Sequence, residues 1–341
     1  MILAKTFEYG KQYLYSLAIL TTIERKTCTN LSKYSGSSHD RLYRELNIDS
    51  ELPYKKTLRE VAQKKLRADQ TYLIIDDSRI NKDFAHYIEG LSEDLDGSSG
   101  RITKGLQMVT SMLTDLRFNI PILLEPLLNK WICPEKYKKK SEVAWQIISK
   151  ITSDFDIKMV LADAHYATKD LLDKLQRHFI SFLMKIPRNR KVTINHQYRQ
   201  LQEILRLRRN ERVRCEQGFY NNLPYWFYVV KVSPHITVYL VSSDYLNPKD
   251  VLNIYRIRWK IEEFHRTSKQ YLGLANCQSR SLQKQIVHCL HVMQSYIIAD
   301  AIRDRLELRT IEQAIRAFRE PKTIPRNILN QALRQELRII A

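Results

Sequence analysis

One stretch restricts the architecture of this chain more than any other: Tyr255-Arg256-Ile257-Arg258-Trp259-Lys260-Ile261-Glu262-Glu263-Phe264-His265-Arg266-Thr267-Ser268-Lys269. Upstream, Asn247-Pro248 offers a capping side chain followed by proline at the first helical position, and Asp250 adds negative charge to the first turn. Downstream, Gly273 suits the residue just past a helix C-terminus. The pattern predicts one helix of roughly 25 residues, near 37 Å long. On a wheel of about 100° per residue with Tyr255 at zero, Arg258, Lys269 and Glu262 fall at about 300°, 320° and 340°. Ile254, Ile257, Ile261 and Phe264 fall between about 180° and 260° and form an apolar stripe that can pack on a core. The neighbouring stripe presents a phenol, a guanidinium, a carboxylate and an ammonium. That set can hold a phosphate and a metal together, with cationic donors for the one and a hard oxygen for the other. A solvated face with a helix-spaced Arg–Glu pair has the same residues.

Two short apolar runs end in aspartate. Tyr72-Leu73-Ile74-Ile75 leads into Asp76-Asp77-Ser78, and Met159-Val160-Leu161-Ala162 into Asp163. Both runs are short enough for buried strands. Carboxylates at such ends cost desolvation unless a cation or donors meet them, although they can also cap the next turn. Strand alternation puts Asp76 and Asp77 on opposite faces. Between the runs, Gly105–Leu113 and Phe118–Leu128 read as strands around a turn at Asp115–Arg117, and Ser141–Ser153 as a helix. Lys136–Lys140 reads as a solvated basic loop. After Asp163, a helix from about Lys169 to Arg177 precedes a further strand within Phe179–Ile186.

Tyr255, Arg258, Glu262 and Lys269, with two, three and six residues between them, resemble the signature of a large branch of bacterial DDE-type insertion-sequence transposases. The text from Tyr255 to Leu274 is similar to that family as well. The resemblance implies an α/β, RNase H-like (retroviral integrase-like) catalytic domain, and the order of strands and helices above is the order of that fold. It also implies that Asp76, Asp163 and Glu262 are the three catalytic, metal-binding acids. Asp76 is preferred to Asp77 because the family pattern places Ser or Thr two residues after the acid, here Ser78. Three carboxylates in one cavity repel unless cations neutralise them. Two Mg²⁺ ions, with Mn²⁺ as a substitute, would do so and serve in-line displacement at phosphorus. Tyr255, Arg258 and Lys269 would hold DNA phosphates.

The charge balance agrees with such a partner. The 341 residues include 56 Lys and Arg against 37 Asp and Glu, a net charge of +19 with pI near 9.6, which suits a polyanion. No apolar run of about 18 residues and no signal-peptide pattern occurs, so a cytoplasmic, nucleoid-associated protein without a membrane is expected. The five cysteines are scattered without a Cys-x-x-Cys pair, which excludes a zinc ribbon and argues against a disulfide framework.

The chain divides, on this reading, into a helical N-terminal region (1–68), a catalytic core (69–186 and 247–275), a basic strand-rich insertion (187–246) and C-terminal helices (276–341). Apolar residues recur at helical spacing from Phe7 to Ile23. Thr29–Leu46 reads as a helix-turn-helix with its turn at Gly36, a second helix capped by Ser37 or Ser38, and His39, Arg41 and Arg44 outward. The insertion is rich in arginine and contains strands at Tyr225–Val230 and Thr237–Val241. Leu282–Leu306 is a long amphipathic helix whose His288 and His291 lack a third ligand nearby, which disfavours a metal there. The reading is a transposase that cuts the ends of its own element and joins them to target DNA, with a homodimer in the DNA complex. A same-fold nuclease that does not join strands, and a DNA-binding relic without catalysis, are the alternatives.

Overall fold

A computed structural model describes residues 13–47, 51–96, 100–320 and 323–340. Its centre is a sheet in which β1 (Tyr72–Asn81), β3 (Arg101–Thr114) and β4 (Asn119–Leu127) are antiparallel neighbours, with β2 (Ser92–Asp96) on the start of β3. On the other side of β1 lie β5 (Met159–Ala162) and then β6 (Phe182–Lys185), both parallel to it. The apolar runs form these strands because both of their faces are covered: Leu73, Ile74, Ile75, Val160, Leu161 and Ala162 are all fully buried.

β1 does not stop at its aspartates. It continues through Asp76, Asp77 and Ser78 to Asn81, paired throughout with β3. What stops there is its parallel neighbour, since β5 pairs only with Tyr72–Ile75. The insertion holds more strands than its apolar runs reveal. β7 (Lys191–Ile194), β8 (Gln197–Gln200) and β9 (Val213–Tyr220) join β10 (Leu223–Ser233) and β11 (Ile236–Ser242). They continue the central sheet, because β11 pairs antiparallel with β6, and the order runs β6-β11-β10-β9-β7-β8.

The helices follow the sequence more closely. α1 (Leu14–Thr21) precedes α2 (Cys28–Ser35), a left-handed Gly36 (φ 67°) and α3 (His39–Arg44), whose Ser38 cap accepts from Arg41 N. The part of the apolar repeat that begins at Phe7 lies outside the described residues up to Tyr13. α4 (Glu51–Lys65), α5 (Lys140–Thr152) and α6 (Lys169–Arg177) lead into and connect the sheet strands, while a single turn, α7 (Leu201–Ile204), follows β8 in the insertion. α10 (Leu282–Arg305) is buried along most of its length, packing on β4, α1, α4, α11 (Ile311–Arg319) and α12 (Arg326–Ile340). Its buried polar side chains are met by α1 and its surroundings. His288 Nδ1 lies 3.1 Å from Tyr15 hydroxyl and its Nε2 2.9 Å from Gly273 O; His291 lies 3.2 Å from Ser16 Oγ and 3.3 Å from Glu45 O. The two histidines are thus core polar residues. All five cysteines are free.

The predicted single helix over 247–273 is interrupted. Asn247 Oδ1 accepts from Lys249 N, as a cap would, but regular α8 spans Val251–Arg256 and α9 spans Trp259–Thr267. Between them Ile257, Arg258, Lys260 and Ile261 bond to carbonyls three residues back rather than four. One π-helical turn, Ser268–Leu272, then ends at Gly273 in the left-handed conformation (φ 71°). A side chain at Gly273 would also meet Lys26 and Asn276. Among the described residues no helix is long and apolar enough to cross a membrane.

Candidate active site

The end of β5 creates the site. Ile75 pairs with Ala162, so the next residues, Asp76 and Asp163, lie side by side where the parallel pairing finishes. The outer carboxyl ends of parallel strands are where ligands bind in open α/β sheets. α9 packs against β1 and brings Arg258 and Glu262 to the same place. Arg258 Nη1 lies 3.4 Å from Asp76 Oδ2, and Nη2 donates to Glu262 Oε1. A guanidinium thus joins the first acid to the third.

Asp76 is mostly buried beside other acids. Burial pushes its carboxyl up to about 7, and Asp77 and Asp163 add to the effect while Arg258 opposes it. Asp163 is held locally: Oδ1 accepts from His165 N at 2.9 Å, and Oδ2 is 3.0 Å from His165 Nδ1. Tyr255 is buried, with its ring centroid 5.7 Å from the Arg258 guanidinium; burial raises its phenol, and Arg258 counteracts this. Trp259 approaches the same guanidinium at 6.0 Å. Lys269 is exposed on the π-helical turn, and its charge bears on buried His265. Arg256 points to solvent.

Asp77 has other partners. Lys140 Nζ donates to its Oδ1 at 2.7 Å and Tyr166 hydroxyl at 3.0 Å, while Gln107 Nε2 donates to Oδ2. Lys140 therefore belongs to the start of α5 and to this network, not to a solvated loop. Tyr166 is buried, and its phenol is pushed well above the ordinary range by burial and by Asp77, Asp76 and Asp163. Neither residue stood out in the sequence, because nothing in a basic run or an Ala-His-Tyr-Ala segment says which carboxylate will face it.

The donors suit a hard divalent cation: Asp76, Asp163 and Glu262 offer only oxygen, and Asp76 is a carboxyl whose ionisation its surroundings oppose. Among the described residues no three His, Cys, Asp or Glu side chains form a ready cage for an ion. The cation held between Asp76 and Glu262 is Arg258 itself.

Comparison with known proteins places these residues in context. A family described as the transposase DDE domain matches residues 134–298, a span that includes Asp163, Tyr255, Arg258, Glu262 and Lys269 but not Asp76. No curated protein matches the chain. Among solved structures, the fold is similar to a piggyBac transposase synaptic complex with hairpin DNA, determined by cryo-EM. The TM-score is 0.55 at 11% identity, over 97% of this chain and 72% of that one. The model for the transposase DDE domain thus covers residues 134–298 of this chain, and the fold as a whole is similar to that of a solved transposase.

Proposed function

We propose that the protein is a DNA transposase that cleaves the ends of its insertion element and joins them to target DNA. Its core would be RNase H-like and of the branch with the Tyr-Arg-Glu-Lys signature. The observation that carries this reading is the meeting of Asp76 and Asp163 at the end of paired parallel strands, with Glu262 tied to Asp76 through Arg258. The order β4-β3-β1-β5-β6, three antiparallel strands beside two parallel ones, supports the fold assignment.

Asp76, Asp163 and Glu262 would hold divalent ions, Mg²⁺ by preference with Mn²⁺ as a substitute, and two of them fit the chemistry. When bound, the ions supply activation of a water or 3′-hydroxyl and stabilisation of the leaving oxygen. The protein's own groups position the rest. His165 fixes both oxygens of Asp163. Tyr255, Arg258 and Lys269 hold the phosphates around the scissile bond. The helix pair α2–α3, with His39 and Arg44 exposed, reads the terminal inverted repeats, and the basic insertion follows the DNA backbone. The parts are the N-terminal region to 68, the core 69–186 with 247–275, the insertion 187–246 and the C-terminal helices from 276. The working form is a homodimer on DNA, in the cytoplasm at the nucleoid.

Asp76→Asn, Asp163→Asn and Glu262→Gln test the reading. Each is expected to abolish cleavage of DNA bearing the element ends while the far-ultraviolet spectrum and DNA binding persist. Near wild-type cleavage by any one removes that residue from the triad. Cleavage without a joined product selects a nuclease, and binding without either product selects a DNA-binding protein.

A further inference from the structure

Arg258 has a second set of partners besides any phosphate. Its side chain is only 10% exposed, and its two terminal nitrogens meet Asp76 Oδ2 and Glu262 Oε1. The Tyr255 and Trp259 rings flank it at 5.7 and 6.0 Å. Its Nε is buried without a hydrogen-bond partner. Resting on the reading of Asp76 and Glu262 as metal ligands, we propose that Arg258 is an internal counter-cation. It competes with the divalent ion for these two acids, and DNA phosphate relieves the competition by drawing the guanidinium away.

The argument is one of shared atoms. Asp76 Oδ2 and Glu262 Oε1 face one guanidinium, and a divalent ion seeking the same oxygens would stand against a fixed positive charge. Without that charge the mostly buried Asp76 carboxylate would lose its cationic partner, while Glu262 keeps partial contact with solvent. A phosphate is the other ligand for which the guanidinium fork is shaped, and it can also use the Nε donor left unpaired here. The residue sits at the tight turn between α8 and α9, at i,i+4 spacing from Glu262. One group serving both partners couples them, and the coupling is reciprocal: DNA raises affinity for metal, and metal raises affinity for DNA. Metal loading on this scheme follows substrate binding and does not precede it.

The test is Mn²⁺ binding to the full chain, read by electron paramagnetic resonance without any assay of activity. Without DNA, Arg258→Gln is expected to bind Mn²⁺ about tenfold more tightly than wild type. Arg258→Lys, which keeps the charge but not the fork, is expected between the two. Lys269→Gln removes one charge from the same stretch outside the bridge and is expected to change the affinity by no more than about twofold. A mixed-sequence DNA duplex, with its own Mn²⁺ uptake subtracted, should tighten the wild type about tenfold and leave Arg258→Gln nearly unchanged. Asp76→Asn reports whether the bound ion is at this site. Loss of binding in Asp76→Asn with equal affinities for wild type and Arg258→Gln overturns the competition alone. Equal gains in Arg258→Gln and Lys269→Gln overturn it too, as an effect of net charge. Mn²⁺ binding that ignores Asp76 in every form overturns the underlying site. If Arg258→Gln does not fold, Arg258→Lys and the duplex titration of wild type decide the matter in the same way.

Discussion

Asp77 gathers donors from three places: Lys140 at the start of α5, Tyr166 in the loop after β5, and Gln107 on β3. The loop also carries Asp163, three residues before Tyr166. Asp77 thus ties the segment bearing one candidate acid to the strand bearing another. Its side chain is 13% exposed and Lys140 27%, so removing the carboxylate strands a mostly buried cation and a buried phenol. Asp77→Ala is expected to cost about 3 kcal/mol, and Tyr166→Phe about 1–2 kcal/mol, in urea unfolding of the metal-free chain. Unchanged midpoints in both would show that the network contributes nothing. Strand alternation alone marks Asp77 as the acid facing away and thus as dispensable. Its importance depends on partners far along the chain, which alternation does not encode.

Elements differ in how much of them a local pattern carries. α6 spans Lys169–Arg177 as its periodicity indicates, and the Gly36 turn and Ser38 cap follow from backbone preferences of single residues. The break at Ile257–Arg258 could not be read, because a wheel assumes one angle per residue throughout and this turn is tighter. β9 is not legible in the sequence because Val-Arg-Cys-Glu-Gln-Gly-Phe-Tyr has no apolar run; Val213 to Glu216 are all half-buried beside β10, and only Gly218 and Tyr220 are buried. The candidate acids were nameable only through a resemblance, since their proximity depends on β1–β5 pairing and on α9. The N-terminal helices hold a similar lesson. α1 is a core element, supplying Tyr15 and Ser16 to His288 and His291. Burial lowers these histidines to about 4 and about 3 in the folded chain. In the unfolded chain they titrate near the ordinary value of about 6.5. The unfolded state therefore takes up protons first as pH falls below about 6.5, and stability present above that point is lost on the way down. By pH 5 the two histidines should each withdraw up to about 2 kcal/mol. Urea midpoints at pH 7 and pH 5 for wild type, His288→Gln and His291→Gln check this, because Asp76 and His265 titrate in all three; the same pH dependence in all of them would mean that the pair is not buried neutral.

At the scale of the whole molecule, 56 cationic against 37 anionic side chains set the response to salt. If about six phosphates are contacted, affinity for DNA should fall by roughly three or more decades between about 50 and 200 mM salt. A flat titration would assign the charge to another purpose. The single sheet has a separate consequence. β6 is covered on its outer side by β11, and β8 is the far margin of the insertion. Trimming the insertion from its β8 tip inward merely moves the margin along, one strand at a time. Removing β11 as well would leave the outer edge of Phe182–Lys185 unpaired at the margin of the central sheet, a ready template for another chain. Evolution or engineering can therefore shorten this arm by whole hairpins, but the strand nearest the core is a selvedge that keeps the fabric from joining to its neighbours.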